Sequence, residues 1–258
     1  MNDMWNGTAY ERYSAAQFAW GVEAIEALEF RGDERVLDLG CGNGRVTARL
    51  ACRVPFGSVL GIDTSRSMLE HAQARRVFNM TFGRHDIRAF PVGRGFDVIF
   101  SNAALHWVME HENLQARIFR ALRPKGRVRL QWAARGNCPG TMAALEKTAR
   151  HKDFSAALGT WSSPWRTDTV ESYKQVLEPF DYEKLRVWEE DRPWCFNDRN
   201  ELEGWIDSTV MVPFLQTLPP GLHGRFRDML VENVIANTEE QGGFVENFRR
   251  INISAVRR

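Results

Sequence analysis

With 258 residues, the chain is long enough for one large domain or for one domain carrying a small cap. A hydrophobic fraction of 43%, a charged fraction of 26% and a formal charge of +1, with Lys and Arg spread along the chain, are those of an ordinary globule and leave little electrostatic footprint for nucleic acid. Cys41, Cys52, Cys138 and Cys195 form no C-x-x-C pair and no zinc spacing, no apolar run approaches the roughly 18 residues of a membrane span, and no N-terminal signal peptide is visible, so a reducing, cytoplasmic setting is expected.

Residues 8–29 read as a helix whose partly apolar face is Ala16, Ala19, Trp20, Ile25 and Leu28, with Thr8 as cap and Glu11 completing a capping box. Residues 35–39 then make a short apolar run, as in a parallel strand buried on both faces, and Gly40, Gly42 and Gly44 break it before a helical pattern from Arg45 to Cys52. A strand, a glycine turn and a helix start bring bare backbone N–H groups against a ligand. The dinucleotide fingerprint G-x-G-x-x-G fails, because Arg45 holds its third glycine position. What stands instead is D-x-G-x-G-x-G. Asp38 would repel a pyrophosphate but can hold an ammonium group, so a ligand with both an amine and a carboxylate suits the turn.

Ser58–Asp63 is a second buried strand ending in an acid, 19 residues beyond Gly44, where a carboxylate can take both hydroxyls of a ribose. Ser65 can cap the next helix, which packs Met68, Leu69 and Ala72 on the sheet. Residues 81–86 form the third strand; a metal site on His85 and Asp86 lacks a third ligand at useful spacing, and no metal is expected. Residues 96–101 are the fourth strand, running into Asn102-Ala-Ala-Leu-His106-Trp107 at the carboxyl edge of the sheet. Residues 111–122 form an amphipathic helix with Leu114, Ile118 and Leu122 inward, and 127–132 begin the fifth strand. Beyond 136 the character changes. Helices near 140–153 and 168–178 surround a loop with Trp161, Trp165 and Arg166, two more follow in 197–240, and 185–196 and 245–256 read as strands, the last as an edge strand.

The expected fold is α/β, a doubly wound, mostly parallel seven-stranded sheet with a helical substrate cap. Residues 1–30 are the N-terminal helix, 31–136 the core, 137–180 and 197–243 the cap insertions, and 181–196 and 244–258 the closing strands.

Asp38–Gly44 resembles the first motif of the class I S-adenosylmethionine-dependent methyltransferases, and Asn102–Trp107 resembles a second segment of the same group. The helix from Tyr10 to Gln17, with Trp5-Asn6 before it, is similar to the opening of the trans-aconitate methyltransferases and related carboxyl methyltransferases. The likeness is good over residues 5–135 and thin beyond. It implies S-adenosyl-L-methionine as cofactor and S-adenosyl-L-homocysteine as product. The implied cofactor residues are Gln17 at the methionine end, Asp38, Gly40, Cys41, Gly42 and Gly44 in the first motif, Asp63, Thr64 and Met68 near ribose and adenine, and Asn102. Asp86 would accept from the adenine amine while Ile87 covers the ring.

Trp107 would wall the transfer pocket, with His106 bonding the acceptor or acting as its base. Surplus tryptophans (Trp132, Trp161, Trp165, Trp205), together with Trp5 and Tyr13, suit an apolar acceptor pocket; Arg135, Arg166 and Arg225 are candidates for a carboxylate clamp. The expected reaction is O-methylation of a small carboxylate, which is ionised at neutral pH (pKa about 4) and needs no base. The partner is a small-molecule acceptor, with neither nucleic acid nor membrane, and the oligomeric state, monomer or dimer, is open. Methylation of natural products or carrier-protein-bound acyl groups, and cofactor binding without transfer, are alternatives with the same core signals; a dehydrogenase is the third.

Overall fold

Val36, Leu37 and Leu39 are all buried, which makes the first strand a central one. The computed structural model describes residues 5–90, 93, 95–159, 162–240 and 242–258. In chain order the elements are α1 (Gly7–Tyr13), α2 (Ala15–Glu26), β1 (Arg35–Leu39), α3 (Arg45–Arg53), β2 (Ser58–Asp63), α4 (Arg66–Gln73), β3 (Met80–Arg84), β4 (Phe96–Asn102), α5 (His111–Ala121) and β5 (Leu122–Ala133). Then come α6 (Pro139–Ala149), α7 (Ser155–Leu158), α8 (Val170–Leu177), β6 (Tyr182–Phe196), α9 (Arg199–Trp205), α10 (Phe214–Thr217), α11 (His223–Thr238), β7 (Glu239–Glu240) and β8 (Gly243–Arg257).

The strands lie in the order β3-β2-β1-β4-β5-β8-β6, with the short β7 pairing on β8. β1 to β5 are parallel, and β8 runs antiparallel to β5. This is the mostly parallel, Rossmann-like sheet expected from the sequence. Its order reverses between β1 and β4, the crevice where open α/β sheets bind ligands. One face carries Val36, Val98 and Phe100 under Ala24, Ile25, Leu50 and Ala51 of α2 and α3. The other carries Leu37, Leu39, Ile99, Leu130, Trp132 and Ile253 under Leu114 and Ile118 of α5 and Tyr173 of α8.

The chain forms two compact units. One comprises residues 15–135, 165–190 and 250–258; the other comprises the described residues of 1–14, 136–164 and 191–249. Residues 165–180, expected in the cap, therefore cluster with the sheet, since Tyr173 and Leu177 of α8 pack into its core. In the second unit, Glu246 caps α6, accepting from the Thr141 backbone N–H at 2.7 Å and its hydroxyl at 2.6 Å, and Phe226 of α11 packs between Phe154 and Phe214.

Three expectations need correction. The single helix over 8–29 is two, because Ser14 leaves helical geometry (φ −107°, ψ 32°). The first of them starts at Asn6, whose side chain accepts from the Ala9 N–H at 3.0 Å, so the Thr8–Glu11 capping box is not formed. Finally, 245–256 is not an edge strand: β8 is inserted between β5 and β6. Its polar positions do not face water, since Arg250 and Asn252 are buried on the α2 face of the sheet.

Candidate active site

The turn after β1 spends its donors inside the protein. Gly40 N–H and Cys41 N–H both donate to the Ile62 carbonyl (2.9 and 3.0 Å), Gly44 N–H donates to the Cys41 carbonyl (3.1 Å), and Gly42 N–H donates to Asp63 Oδ2 (2.9 Å). The bare N–H cradle expected from sequence is thus absent at these four positions. The glycines supply backbone freedom and room instead. All three have positive φ (72°, 53° and 77°). A Cβ on Gly40 would lie 2.3 Å from the Ala104 Cβ, whereas a Cβ on Gly42 would meet nothing within 4 Å.

What the turn offers a ligand is acceptors. Asp38 is buried, with Oδ2 accepting from the Thr47 hydroxyl at 2.7 Å. Burial pushes its carboxyl up to about 7 against that hydrogen bond, and Asp63 adds to the rise. Asp63 ends β2 with Oδ2 accepting from the Gly42 N–H and Oδ1 from the Ser65 N–H (both 2.9 Å), which fixes a carboxylate at the strand's carboxyl end. On α2, Gln17 is 8% exposed and its Oε1 has no hydrogen-bond partner among the described residues. Such a set suits a ligand bearing ammonium and hydroxyl donors and repels a pyrophosphate.

The adenine side is less open. Asp86 is held by Arg88, whose Nη2 lies 2.6 Å from Oδ2 and whose backbone N–H donates to Oδ1 at 2.8 Å. That hydrogen-bonded pairing keeps the Asp86 carboxyl below its ordinary range despite partial burial. Arg88 is exposed, so its side chain can leave Asp86 to a competing donor. Ile87 is packed with Leu37 and Ile62 in the core, and Met68 is likewise buried, its N–H taken by Ser65. Thr64 is exposed, with its carbonyl accepting from Arg84. The Cys41 thiol is buried, which pushes its pKa up and leaves it inert.

At the end of β4, Asn102 ties the sheet to α2. Its Nδ2 donates to the Gln17 carbonyl at 2.8 Å, and its Oδ1 lies 3.5 Å from Nη2 of Arg250. The approach is close because residue 21 is glycine: a Cβ there would stand 2.9 Å from Asn102 Nδ2. Asn102, expected on the cofactor, thus ties β4 to α2 through these contacts. The next turn, Leu105–Trp107, is braced from below by His111, whose Nε2 donates to the Leu105 carbonyl (2.9 Å) while Nδ1 accepts from the Tyr173 hydroxyl (3.0 Å). Gln115 donates to that hydroxyl at 2.7 Å.

His106 stands on this turn with Nδ1 buried and no partner among the described residues. Burial, then the Arg250 charge and His111, lower its pKa to about 3, so the ring is neutral and a poor base. Trp107 packs edge-on against Trp165, ring centroids 5.9 Å apart.

Two of the three candidate clamp arginines carry acid partners within the chain. Arg166 forks onto Asp168 (3.0 Å) and donates to the Met109 carbonyl, and its backbone N–H donates to the His106 carbonyl (2.9 Å), which braces the same turn. Arg225 pairs with Asp153 at 2.6 Å, and Arg135 is exposed. Trp132 is packed on Tyr173 and His111, Trp205 on Phe196 and Phe248. Trp5 stacks edge-on with Tyr10, and Tyr13 covers Gly204. Trp161 lies outside the described residues. Sequence reasoning missed Arg250, Thr47 and the His111–Tyr173 brace. Among the described residues no group of His, Cys, Asp and Glu is arranged to hold a metal, and no helix is long and apolar enough to cross a membrane.

Comparison with known proteins agrees with this geometry. A family model described as a methyltransferase domain matches residues 36–126. A trans-aconitate 2-methyltransferase of Deinococcus radiodurans is 31% identical over 87% of this chain and 88% of its own length. One from Methylobacterium radiotolerans is 30% identical over 87% and 86%. Among solved structures, the YcgJ protein of Bacillus subtilis superposes with a TM-score of 0.62 at 15% identity, covering 94% of this chain and 98% of that one. A Haemonchus contortus phosphoethanolamine N-methyltransferase, solved with S-adenosylhomocysteine, gives 0.60 at 18% identity over 97% and 56%.

Proposed function

Because the chain belongs to the trans-aconitate 2-methyltransferase family and is an S-adenosylmethionine-dependent methyltransferase, we propose that it methylates a carboxylate oxygen of a small organic acid, trans-aconitate or a related compound. Bound S-adenosylmethionine supplies a methyl group already activated on a sulfonium, with a neutral thioether as leaving group. The acceptor oxygen forms the new C–O bond as the C–S bond breaks, and no proton has to move.

The chain's work is then alignment. Asp38 and Gln17 Oε1 take the ammonium, and Asp63 takes the ribose diol. Arg88 yields Asp86 to the adenine amine. Positioning of this kind can contribute roughly 7–11 kcal/mol. Trp107 and Trp165 form a wall that keeps water from the acceptor.

One observation carries the reading: His106, the single titratable side chain between residues 101 and 107, is buried and neutral, and its Nδ1 has no partner, carboxylate or other, among the described residues. A phenol or ammonium acceptor would need a base, whereas a carboxylate does not. The test presents labelled cofactor with a panel of mono-, di- and tricarboxylic acids, phenols and amines. Turnover is expected on acids, with kcat flat between pH 6 and 9 at saturating cofactor, and His106→Ala should keep kcat within about tenfold. Turnover on phenols or amines alone, or a loss of several orders in His106→Ala with binding kept, overturns the reading.

A further inference from the structure

We propose that the amino edge of the sheet, around Phe56 and Phe78, docks on an anionic lipid bilayer and leaves the sheet's carboxyl edge facing solution. Charge along the chain is uneven. Residues 40–84 hold seven arginines and two acids, Asp63 and Glu70, in a chain whose overall balance is +1. Asp63 closes β2 at the carboxyl edge and Glu70 pairs with Arg66 at 3.0 Å. Arg49 and Arg53, one turn apart on α3, and Arg76 are exposed, with no acid within ion-pair distance among the described residues. Arg49 lies over the Phe18 ring and Arg53 over the Phe30 ring, both at 5.8 Å, while Arg76 Nε donates to the Met80 carbonyl at 3.1 Å. The fold orients all three cations and leaves their charge unanswered.

Apolar exposure coincides with that charge. Phe56 and Phe78 are 87% and 86% exposed, the barest large apolar side chains among the described residues, and Val77 is 47% exposed. β2 begins at Ser58 and β3 at Met80, parallel neighbours about 4.8 Å apart, so the segments carrying both rings enter the sheet at one edge. Those segments are tied down. Phe56 N–H donates to the Gly32 carbonyl (2.8 Å) and Met80 N–H to the Val77 carbonyl (3.0 Å). Buried Asn79 donates to the Ala51 and Val54 carbonyls (3.0 and 2.9 Å), which joins the Phe78 segment to the end of α3 where Arg53 stands.

Shape selects the occupant. A stable protein partner covers roughly 800 Å² per side in close complementarity, whereas two projecting rings offer tips and no groove. A second copy on the same two-fold patch would set Arg53 and Arg76 against their own kind. A bilayer is fluid: it takes projecting rings at the headgroup–acyl boundary while anionic headgroups meet the arginines. No described helix is long and apolar enough to cross a membrane, which does not bear on attachment at its surface. Asp63 lies five residue steps beyond Ser58, roughly 17 Å at about 3.3 Å per step, so docking does not cover the carboxyl edge. The proposal holds whichever acid is methylated.

Sedimentation with vesicles tests it. Wild type, Phe56→Ser/Phe78→Ser and Arg53→Gln/Arg76→Gln are compared on phosphatidylcholine alone and on phosphatidylcholine with about 30% phosphatidylserine, at about 100 and 300 mM salt. Wild type should partition about tenfold or more in favour of the anionic vesicles, a preference that falls as salt rises. Each double variant should lose about tenfold or more of that partitioning, with its melting temperature and its turnover on soluble acids kept.

Equal wild-type partitioning onto both vesicles overturns the proposal, as does a folded variant of either kind that partitions like wild type. If the phenylalanine variant melts early, the arginine variant decides alone. Concentration-dependent dimers lost in Phe56→Ser/Phe78→Ser would give the patch to a second copy. Binding of an RNA hairpin lost in Arg53→Gln/Arg76→Gln would give the arginines to nucleic acid, and either result is equally fatal.

Discussion

If Asp38 takes the donor's ammonium, as proposed, ligand binding and the protein's own stability pull on it in opposite directions. Burial pushes its carboxyl up to about 7, while in the unfolded chain it titrates near 4. Between those values the folded protein holds a proton that the unfolded chain has released. By linkage this contribution is present below pH 4 and is lost as pH rises through about 7, roughly 4 kcal/mol in all. The ligand-free protein should therefore lose stability from pH 5 to pH 8 through this group, and Asp38→Asn, which keeps an acceptor for Thr47, should lose less. Binding runs the other way, because only the ionised carboxylate pairs with an ammonium. S-adenosylhomocysteine affinity should rise from pH 5.5 to 7.5 in wild type and stay flat in Asp38→Asn. Thermal melts and calorimetry at those pH values check both signs; parallel pH curves for the two proteins would contradict the assignment.

Among the elements, the short turn Leu105–Trp107 depends on α5 and α8 rather than on its own few residues. His111 reaches it from α5, and Tyr173 from α8 fixes which nitrogen of His111 carries the proton: Nε2 must donate to the Leu105 carbonyl, so Nδ1 accepts from the tyrosine hydroxyl. Tyr173→Phe removes one oxygen and strands two buried partners, His111 Nδ1 and Gln115 Nε2. Unfolding free energy should fall by about 1–3 kcal/mol. Acid KM should rise as the turn loosens, with S-adenosylhomocysteine affinity unchanged, because the proposed donor contacts lie on other elements. A denaturation series with steady-state kinetics reads both; full stability in the variant would mean the hydroxyl holds nothing.

The same elements show what the sequence reveals and what it hides. β1, β2 and β4 are legible because strands buried on both faces read as continuous apolar runs, and the glycine turn after β1 has a spacing that periodicity cannot imitate. β8 is not, because Arg250, Asn252 and Ser254 alternate with Ile251, Ile253 and Ala255 as an edge strand's residues would. They face buried polar partners: Asn252 accepts from Arg129 at 2.9 Å and from Gln131 at 3.0 Å, and donates to Glu190 at 3.0 Å. Alternation records that two faces differ, not what covers them. Arg250 was hidden for that reason, while Arg166 and Arg225 looked available because their partners, Asp168 and Asp153, are not announced by spacing.

At the scale of the whole molecule, charge is placed to cancel locally. Lys and Arg number 34 against 33 Asp and Glu, and many exposed or half-buried arginines carry an acid of their own: Arg66 on Glu70, Arg199 on Glu203 and Glu232, Arg227 on Glu203 and Asp207, Arg249 on Asp191. A nucleic-acid surface needs the reverse, several cations free to replace the counterions of successive phosphates, which makes affinity fall steeply with salt. Under the proposed reading, a site for one small acid needs no such row of free cations and is enclosed from added salt. Acid KM should thus change less than about threefold between 50 and 300 mM salt. A labelled duplex or RNA hairpin should show no saturable binding below about 10 μM at 150 mM in fluorescence anisotropy. Saturable binding whose logarithm falls with that of salt by a slope of several would mean the local pairing of charges conceals a basic surface, and the acceptor would have to be sought among nucleic acids.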